Sequence, residues 1–117
     1  MKKDVNVFIE HILESIKKIE EFTNGISREN FLKSAQLQDA VVRRLEIIGE
    51  AVKNIPAEFR KKHAEIPWSE LAKTRDKLIH GYFGIDMELT WGIVKEDLPH
   101  LKEKIKKIAD ADKEKEG

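Results

Sequence analysis

The chain contains no cysteine and, in 117 residues, only three prolines and six glycines. The absence of cysteine excludes disulfides and thiolate metal sites, and it fits a protein of the reducing cytosol. Few turn-forming residues predict few long loops. No apolar run approaches the roughly 20 residues that cross a bilayer, and Met1-Lys2-Lys3-Asp4 lacks the apolar core of a signal peptide. We therefore expect a cytoplasmic protein that does not engage a membrane.

The chain also lacks an excess of charge of either sign. Lys and Arg together number 22, as do Asp and Glu, so the formal net charge is zero. A protein without a global positive field must hold any nucleic acid through a local basic patch. Charged residues are nevertheless 38% of the chain beside 40% apolar residues, a mixture typical of amphipathic helices.

Apolar residues recur at helical spacing over most of the chain. Asp4, Ser34 and Asp86 are suited to cap helices, and Asn24 or Gly25 can take the left-handed conformation that ends one. The pattern predicts helical segments from Asp4 to Phe22, Ser27 to Lys33, Ala35 to Asn54, Pro56 to Lys62, Pro67 to His80, and a final region from Met87 that Pro99 kinks or splits.

These segments predict an all-α fold, an antiparallel bundle of about four to five helices. Residues 1–109 are interpreted as one helical domain and 110–117 as a charged tail that frays. The apolar faces are wide for so short a chain, and a homodimer would bury the surplus.

The stretch from Arg75 to Tyr82 carries the residues best suited to chemistry. It holds an arginine, His80 and the single tyrosine of a chain with four histidines. Arginine presents a fixed cationic fork to phosphate, and histidine moves protons near neutral pH. The pair suffices for RNA cleavage without a metal. The 2′-hydroxyl attacks the adjacent phosphate, His80 takes or gives a proton, and Arg75 stabilises the transition-state charge.

Helical geometry limits how Arg75 and His80 can meet. Positions five apart lie about 140° from each other around a regular helix. Either the helix ends at His80 and Gly81 redirects the backbone, or two subunits complete the site at a shared groove. If the helix ends at His80, the negative end of its dipole would favour the protonated imidazole, and we expect this to raise the pKa of His80.

A purely structural interpretation of the same residues stays open, and spacing alone favours it. Arg75 would pair with Glu70 or Asp76, His80 would cap the helix, and Tyr82 would pack.

Other conspicuous residues are expected to be structural. Trp68 and Trp91 are predicted to be core or dimer anchors. Lys102, Lys104, Lys106 and Lys107 are interpreted as a solvated helix face. Arg43-Arg44 are expected to be surface charge, with Glu46 and Glu50 in salt bridges. The four histidines lack the spacing of paired metal ligands, so no metal or other cofactor is predicted.

Four segments taken together resemble the HepT-like branch of the HEPN superfamily, over about Val5 to Ile108. The segments are Arg44 to Ala51, Ile66-Pro67-Trp68, Arg75 to Phe83 and Lys95 to Pro99, in that order. Among them the Arg-x-x-x-x-His-x-Tyr pattern is the most specific.

The resemblance implies a homodimeric HEPN-type bundle with a metal-independent endoribonuclease site at the dimer interface. Arg75 and His80 of both subunits would be catalytic, and Asp76 would support them. It also implies the toxin of a type VII toxin–antitoxin module. The antitoxin would be a minimal nucleotidyltransferase of the MntA kind, which transfers AMP to Tyr82 and blocks the RNA groove by bulk and charge.

Two alternatives stand beside this hypothesis. The chain could be a non-catalytic nucleotide- or substrate-binding partner of a minimal nucleotidyltransferase, in which the Arg–His motif binds a nucleotide. It could also be a helical dimerisation protein without a ligand.

Overall fold

Every regular element that the structure describes is helical, which confirms the all-α prediction. The computed structural model describes residues 5–73 and 87–116, with side chains as far as residue 111. The predicted caps Asp4 and Asp86 lie outside these ranges. The elements are α1 (Val5–Thr23), α2 (Arg28–Lys33), α3 (Ala35–Lys53), α4 (Ala57–Lys62), α5 (described over 68–73), α6 (Met87–Gly92), a π-helical turn (Ile93–Asp97) and α7 (Leu98–Glu116).

The core lies between three helices of 19 residues, α1, α3 and α7. Helix α1 buries isoleucines three and four residues apart, so one continuous stripe faces its neighbours. It packs against both α3 and α7. The stripes of α3 and α7 follow the same spacing. The buried apolar residues of the three helices are Ile9, Ile12, Ile16, Ile19, Val41, Leu45, Ile48, Ala51, Val52, Leu98, Leu101, Ile105 and Ile108.

Helix α1 ends at a glycine turn. Gly25 has φ +72°, the left-handed conformation predicted for either Asn24 or Gly25. The Ile26 amide donates to the Thr23 carbonyl at 3.1 Å, and the buried Thr23 hydroxyl donates to the Ile19 carbonyl at 2.8 Å. The chain therefore reverses within a few residues toward α2.

We expect Gly25→Ala to lower the free energy of unfolding by about 1 kcal/mol. A Cβ at Gly25 meets no atom within 4 Å, so the cost comes from the backbone conformation alone. Gly92→Ala is the matched control, because Gly92 is helical with φ −59° and a Cβ there also meets nothing within 4 Å. Alanine at Gly92 should raise stability by about 0.5–1 kcal/mol. Urea denaturation measures the change in the free energy of unfolding for each variant. A change in the same direction in both variants would contradict this account.

Serine side chains start α2 and α3 as the sequence predicted. The hydroxyls of Ser27 and Ser34 accept from the amides of Asn30 and Leu37, each at 3.1 Å. These bonds satisfy amide donors that have no partner within the helix. At the junction, the Gln38 side-chain amide donates to the last carbonyls of α2, at 3.0 and 3.1 Å. The short α2 is thereby held against the start of α3.

The residue before α5 differs slightly from the prediction. Pro67 was predicted at the first helical position, whereas the helix begins at Trp68. The Pro67 carbonyl accepts from the Leu71 amide at 3.1 Å, so the proline occupies the capping position. Its missing N–H costs nothing there.

Pro99 coincides with the division of the last helical region. The Leu98 amide donates to the carbonyl of Ile93, five residues back, which is the bonding pattern of a π-helix. Pro99 has no N–H, and in an α-helix its ring would clash with the carbonyl four residues earlier. The wider turn at Ile93–Asp97 relieves that clash while the chain stays helical. The backbone of α7 is helical to Glu116, and the boundary predicted at residue 110 stays a prediction.

Candidate functional site

The four residues that the sequence singles out lie outside the described residues. Arg75, Asp76, His80 and Tyr82 all belong to segment 74–86. The structure describes the helix on each side of this segment, α5 before it and α6 after it. The anchors of these two helices are described next, because α5 and α6 are the described elements nearest to the motif in the sequence.

Trp68 anchors the start of α5. Its side chain is buried, and its indole Nε1 donates to the His63 carbonyl at 2.9 Å. The edge of its ring faces Phe59 of α4, with 6.3 Å between the ring centroids. Leu71, one turn further on, packs against the core. This confirms Trp68 as a core anchor and joins the first turn of α5 to α4.

Helix α6 is anchored to α2 by one ring contact and one ion pair. The Trp91 ring packs on the buried Phe31 at 5.1 Å, with 33° between the ring planes. Arg28 at the start of α2 bonds the carboxylate of Glu88. The ammonium of Lys95 lies 4.8 Å from the Trp91 ring centroid, within cation–π range. Both ends of segment 74–86 are therefore joined to packed helices.

A groove between α4 and α5 gathers basic side chains that the sequence analysis did not single out. This α4–α5 groove has a volume of about 590 Å³. Its walls include Arg60 and Lys61 on α4, Ala64 and Pro67 in the turn, and Ser69 and Glu70 on α5. The signal in the sequence was the run Arg60-Lys61-Lys62-His63, four basic or titratable residues at the end of a short helix.

His63, in the turn after α4, contacts Phe59 and Glu65. Its ring packs on Phe59 with 4.5 Å between centroids, and its Nδ1 lies 3.7 Å from the Glu65 carboxylate. The side chain is 18% exposed. His63 therefore helps to hold the turn that leads into α5.

Several other charged residues form ion pairs or hydrogen bonds. The Lys102 ammonium bonds Glu20 at 3.0 Å across a groove between α1 and α7. The Lys104 ammonium donates to the Glu65 carbonyl at 3.2 Å. On α3, Glu46 pairs with Arg43 at 3.8 Å, which confirms the salt-bridge role predicted for Glu46. The arginine three residues before Glu46 is within reach of its carboxylate on a helix.

Residues 5–73 and 87–111 hold neither a candidate metal site nor a candidate membrane span. No three His, Asp, Glu or Cys side chains come together there in a way that would hold a metal ion. His11 and His100 are exposed on α1 and α7. None of the helices in this part of the chain is long and apolar enough to span a bilayer.

Comparison with known proteins identifies relatives over nearly the whole chain. A family model described as "Ribonuclease HepT-like" matches residues 12–108. The "Probable ribonuclease HepT" of Thermococcus cleftensis is 54% identical over 108 residues, 92% of this chain and 98% of that protein. A Methanocaldococcus jannaschii protein named "Putative RNase" is 48% identical over 99% of this chain and 93% of its own length.

A longer relative carries a second named activity. The "Gamma-glutamylcyclotransferase and putative RNase" of Methanocaldococcus jannaschii is 57% identical over 92% of this chain. The match spans 49% of that relative, so this chain corresponds to about half of it. No solved structure is a significant match.

Proposed function

Because the chain belongs to the HepT-like ribonuclease family, we propose that it is a metal-independent endoribonuclease that acts as a cytoplasmic homodimer. The family match confirms the resemblance that the motifs predicted. The observation that carries the proposal is that this match, over residues 12–108, includes the whole Arg75 to Tyr82 motif. A relative of nearly the same length that bears a ribonuclease name supports it.

In the proposed reaction the 2′-oxygen attacks the adjacent phosphorus and the bond to the 5′-oxygen breaks. The products are a 2′,3′-cyclic phosphate and a free 5′-hydroxyl. His80 of one subunit accepts the proton from the 2′-hydroxyl, and His80 of the partner subunit gives one to the leaving 5′-oxygen. Arg75 stabilises the charge on the non-bridging oxygens, and Asp76 orients it.

The spacing of Arg75 and His80 in the sequence favours a site completed by two copies. Positions five apart on a regular helix diverge by about 140°, which favours a shared groove over one helix face.

The test is cleavage of a labelled single-stranded RNA by the purified protein in excess EDTA. We expect cleavage that the chelator leaves unchanged, with product ends that carry 2′,3′-cyclic phosphate. Binding of a nucleotide that requires Arg75, with no cleavage at any pH, would favour the non-catalytic alternative. Loss of all cleavage with EDTA would refute the metal-independent mechanism.

We further propose that Tyr82 is the AMP acceptor of a type VII toxin–antitoxin module. The phenol lies two residues beyond His80 in the sequence. An AMP ester there would add bulk and negative charge beside the catalytic residues, and RNA phosphates would be repelled. A minimal nucleotidyltransferase would be the antitoxin.

Tyr82→Phe should separate toxicity from neutralisation. We expect the variant to cleave RNA and to arrest growth as the wild type does. A co-expressed MntA-like nucleotidyltransferase should rescue cells that carry the wild type but not those that carry Tyr82→Phe. Mass spectrometry of the purified toxin reads the AMP directly. Rescue of Tyr82→Phe together with AMP on another residue would overturn the assignment of Tyr82.

A further inference from the structure

The α4–α5 groove combines an apolar floor with a cationic wall. Its exposed floor is formed by Ala57, Ala64 and Pro67, over the buried Trp68. Arg60 and Lys61 stand along the α4 side. A nucleotide has the complementary construction, because its base and ribose present apolar faces and its phosphate carries the charge.

The cationic wall is not neutralised by carboxylates within the described residues. There, ion pairs engage other basic residues, among them Lys18, Arg28, Arg43, His63 and Lys102. Lys61 is exposed and Arg60 is half-buried, so Arg60 is partly held by packing. The one carboxylate among the groove residues, Glu70, is on the α5 side. A phosphate is therefore favoured on the α4 side. A chain of zero net charge must bind nucleic acid through a local basic patch, and Arg60 and Lys61 form such a patch.

The groove is also close to the motif along the chain. Its α5 wall ends at Glu70, and Arg75 follows five residues later. Five residues of chain span at most about 18 Å. A polynucleotide that contacts Arg75 can therefore continue into the groove within a few nucleotides.

We infer that the α4–α5 groove binds the single-stranded RNA that flanks the cleaved phosphodiester, with its phosphates on Arg60 and Lys61 and a base on Pro67. This inference rests on the proposed ribonuclease function. Single-stranded RNA is favoured over a duplex because only unpaired bases can turn onto an apolar floor. The volume of about 590 Å³ falls within the range of roughly 300–1,000 Å³ of small-molecule pockets.

The test uses Arg60→Gln/Lys61→Gln and a fluorescent 2′-O-methyl RNA, which lacks the attacking hydroxyl and stays intact. Each phosphate contact to a single strand adds about 0.7 to the slope of log affinity against log salt. The variant removes two such contacts, so we expect its slope to be smaller in magnitude by about 1.4. It should bind the RNA on the order of tenfold more weakly at 0.1 M salt. On cleavable RNA its KM should rise similarly, while kcat stays within about twofold.

The matched control removes two positive charges from the other groove. Lys17→Gln/Lys106→Gln changes the groove between α1 and α7, whose volume of about 570 Å³ is similar. It should leave the salt slope unchanged. Lys61→Glu alone covers the case in which loss of Arg60 disturbs folding, since Lys61 is exposed. It should weaken binding of the probe and lower the salt slope, in the same direction as the double variant.

The outcomes separate the two proposals. If the wild type cuts RNA and both α4 variants keep the wild-type salt slope and KM, the groove inference is wrong and the ribonuclease proposal stands. If the wild type cuts no RNA yet binds the probe through Arg60 and Lys61, the ribonuclease proposal fails and the groove is still a site. Equal or tighter binding of a duplex of the same sequence would overturn the preference for single strands.

Discussion

His80→Ala is expected to reduce the cleavage rate by roughly 10²–10⁴-fold, the usual contribution of a general acid or base. If both copies of His80 serve one site, as proposed, a single substitution removes the proton acceptor and the proton donor together. The loss should therefore fall at the upper end of that range. Single-turnover cleavage with excess protein measures the chemical step directly. Growth after induced expression gives the cellular counterpart, and the variant should not arrest it.

The control for this experiment is His100→Ala, which removes an exposed imidazole from α7. It should cleave as the wild type does. Circular dichroism and melting temperature should match among the three proteins, so that a loss of rate reflects chemistry. Wild-type cleavage by His80→Ala would show that His80 takes no part in the reaction. Arg75→Ala should reduce the cleavage rate by roughly 10²–10³-fold, because it removes the group that stabilises the transition-state charge.

A mixture of Arg75→Ala and His80→Ala subunits tests whether the site is shared. Each homodimer lacks one catalytic residue completely, whereas a mixed dimer keeps one arginine and one histidine. We expect the remixed subunits to cleave faster than either parent. A mixture that cleaves no faster than its parents would show that one arginine and one histidine on different subunits do not suffice for cleavage.

Phe31→Ala is expected to lower the free energy of unfolding by about 3–5 kcal/mol. Phe31 is fully buried on α2, and its ring packs on Trp91. Removing the ring loses apolar burial and leaves a cavity between α2 and α6. The free energy of unfolding of natural domains is only about 5–15 kcal/mol, so this one substitution would remove a large share of it. Urea denaturation at a single protein concentration measures it, because the proposed dimer would make stability depend on concentration.

Lys33→Ala provides the comparison on the same helix. Lys33 is exposed, so its truncation should change stability by less than about 0.5 kcal/mol. If the free energy of unfolding of Phe31→Ala lies within about 1 kcal/mol of the wild-type value, α2 contributes little to the core. Because the Phe31–Trp91 contact joins α2 to α6, the helix that follows the motif segment, we also expect lower cleavage activity near the melting temperature.

Helix ends were the part of the fold that the sequence predicted best. Ser27, Ser34 and Gly25 act on amides or turns only a few residues away, so the spacing alone identifies them. Pro99 was expected to kink or split its helix, and the π-helical turn follows from the same missing N–H. Pro67 was placed one residue too far into its helix, because a proline suits both the first position and the one before it.

For the candidate site, the sequence predicted the residue types, and the structure contributed the α4–α5 groove. The residue types and spacing of Arg75, His80 and Tyr82 predict the chemistry, and the family match agrees with the motif. Their placement lies outside the described residues, so their roles stay proposals. The basic residues of the α4–α5 groove were visible as a run in the sequence. Their significance depended on the turn that brings Pro67 and α5 beside α4.

The sequence by itself determined the all-α class, most helix ends and the family. Each depends on residue type and short spacing, which operate within one or two helical turns. Only the tertiary structure decided that Trp91 packs on Phe31, that Arg28 meets Glu88 across 60 residues, and that Lys102 meets Glu20 across 82. Such pairs form when whole apolar faces pack and bring distant segments together. No local pattern specifies which partner each face will find.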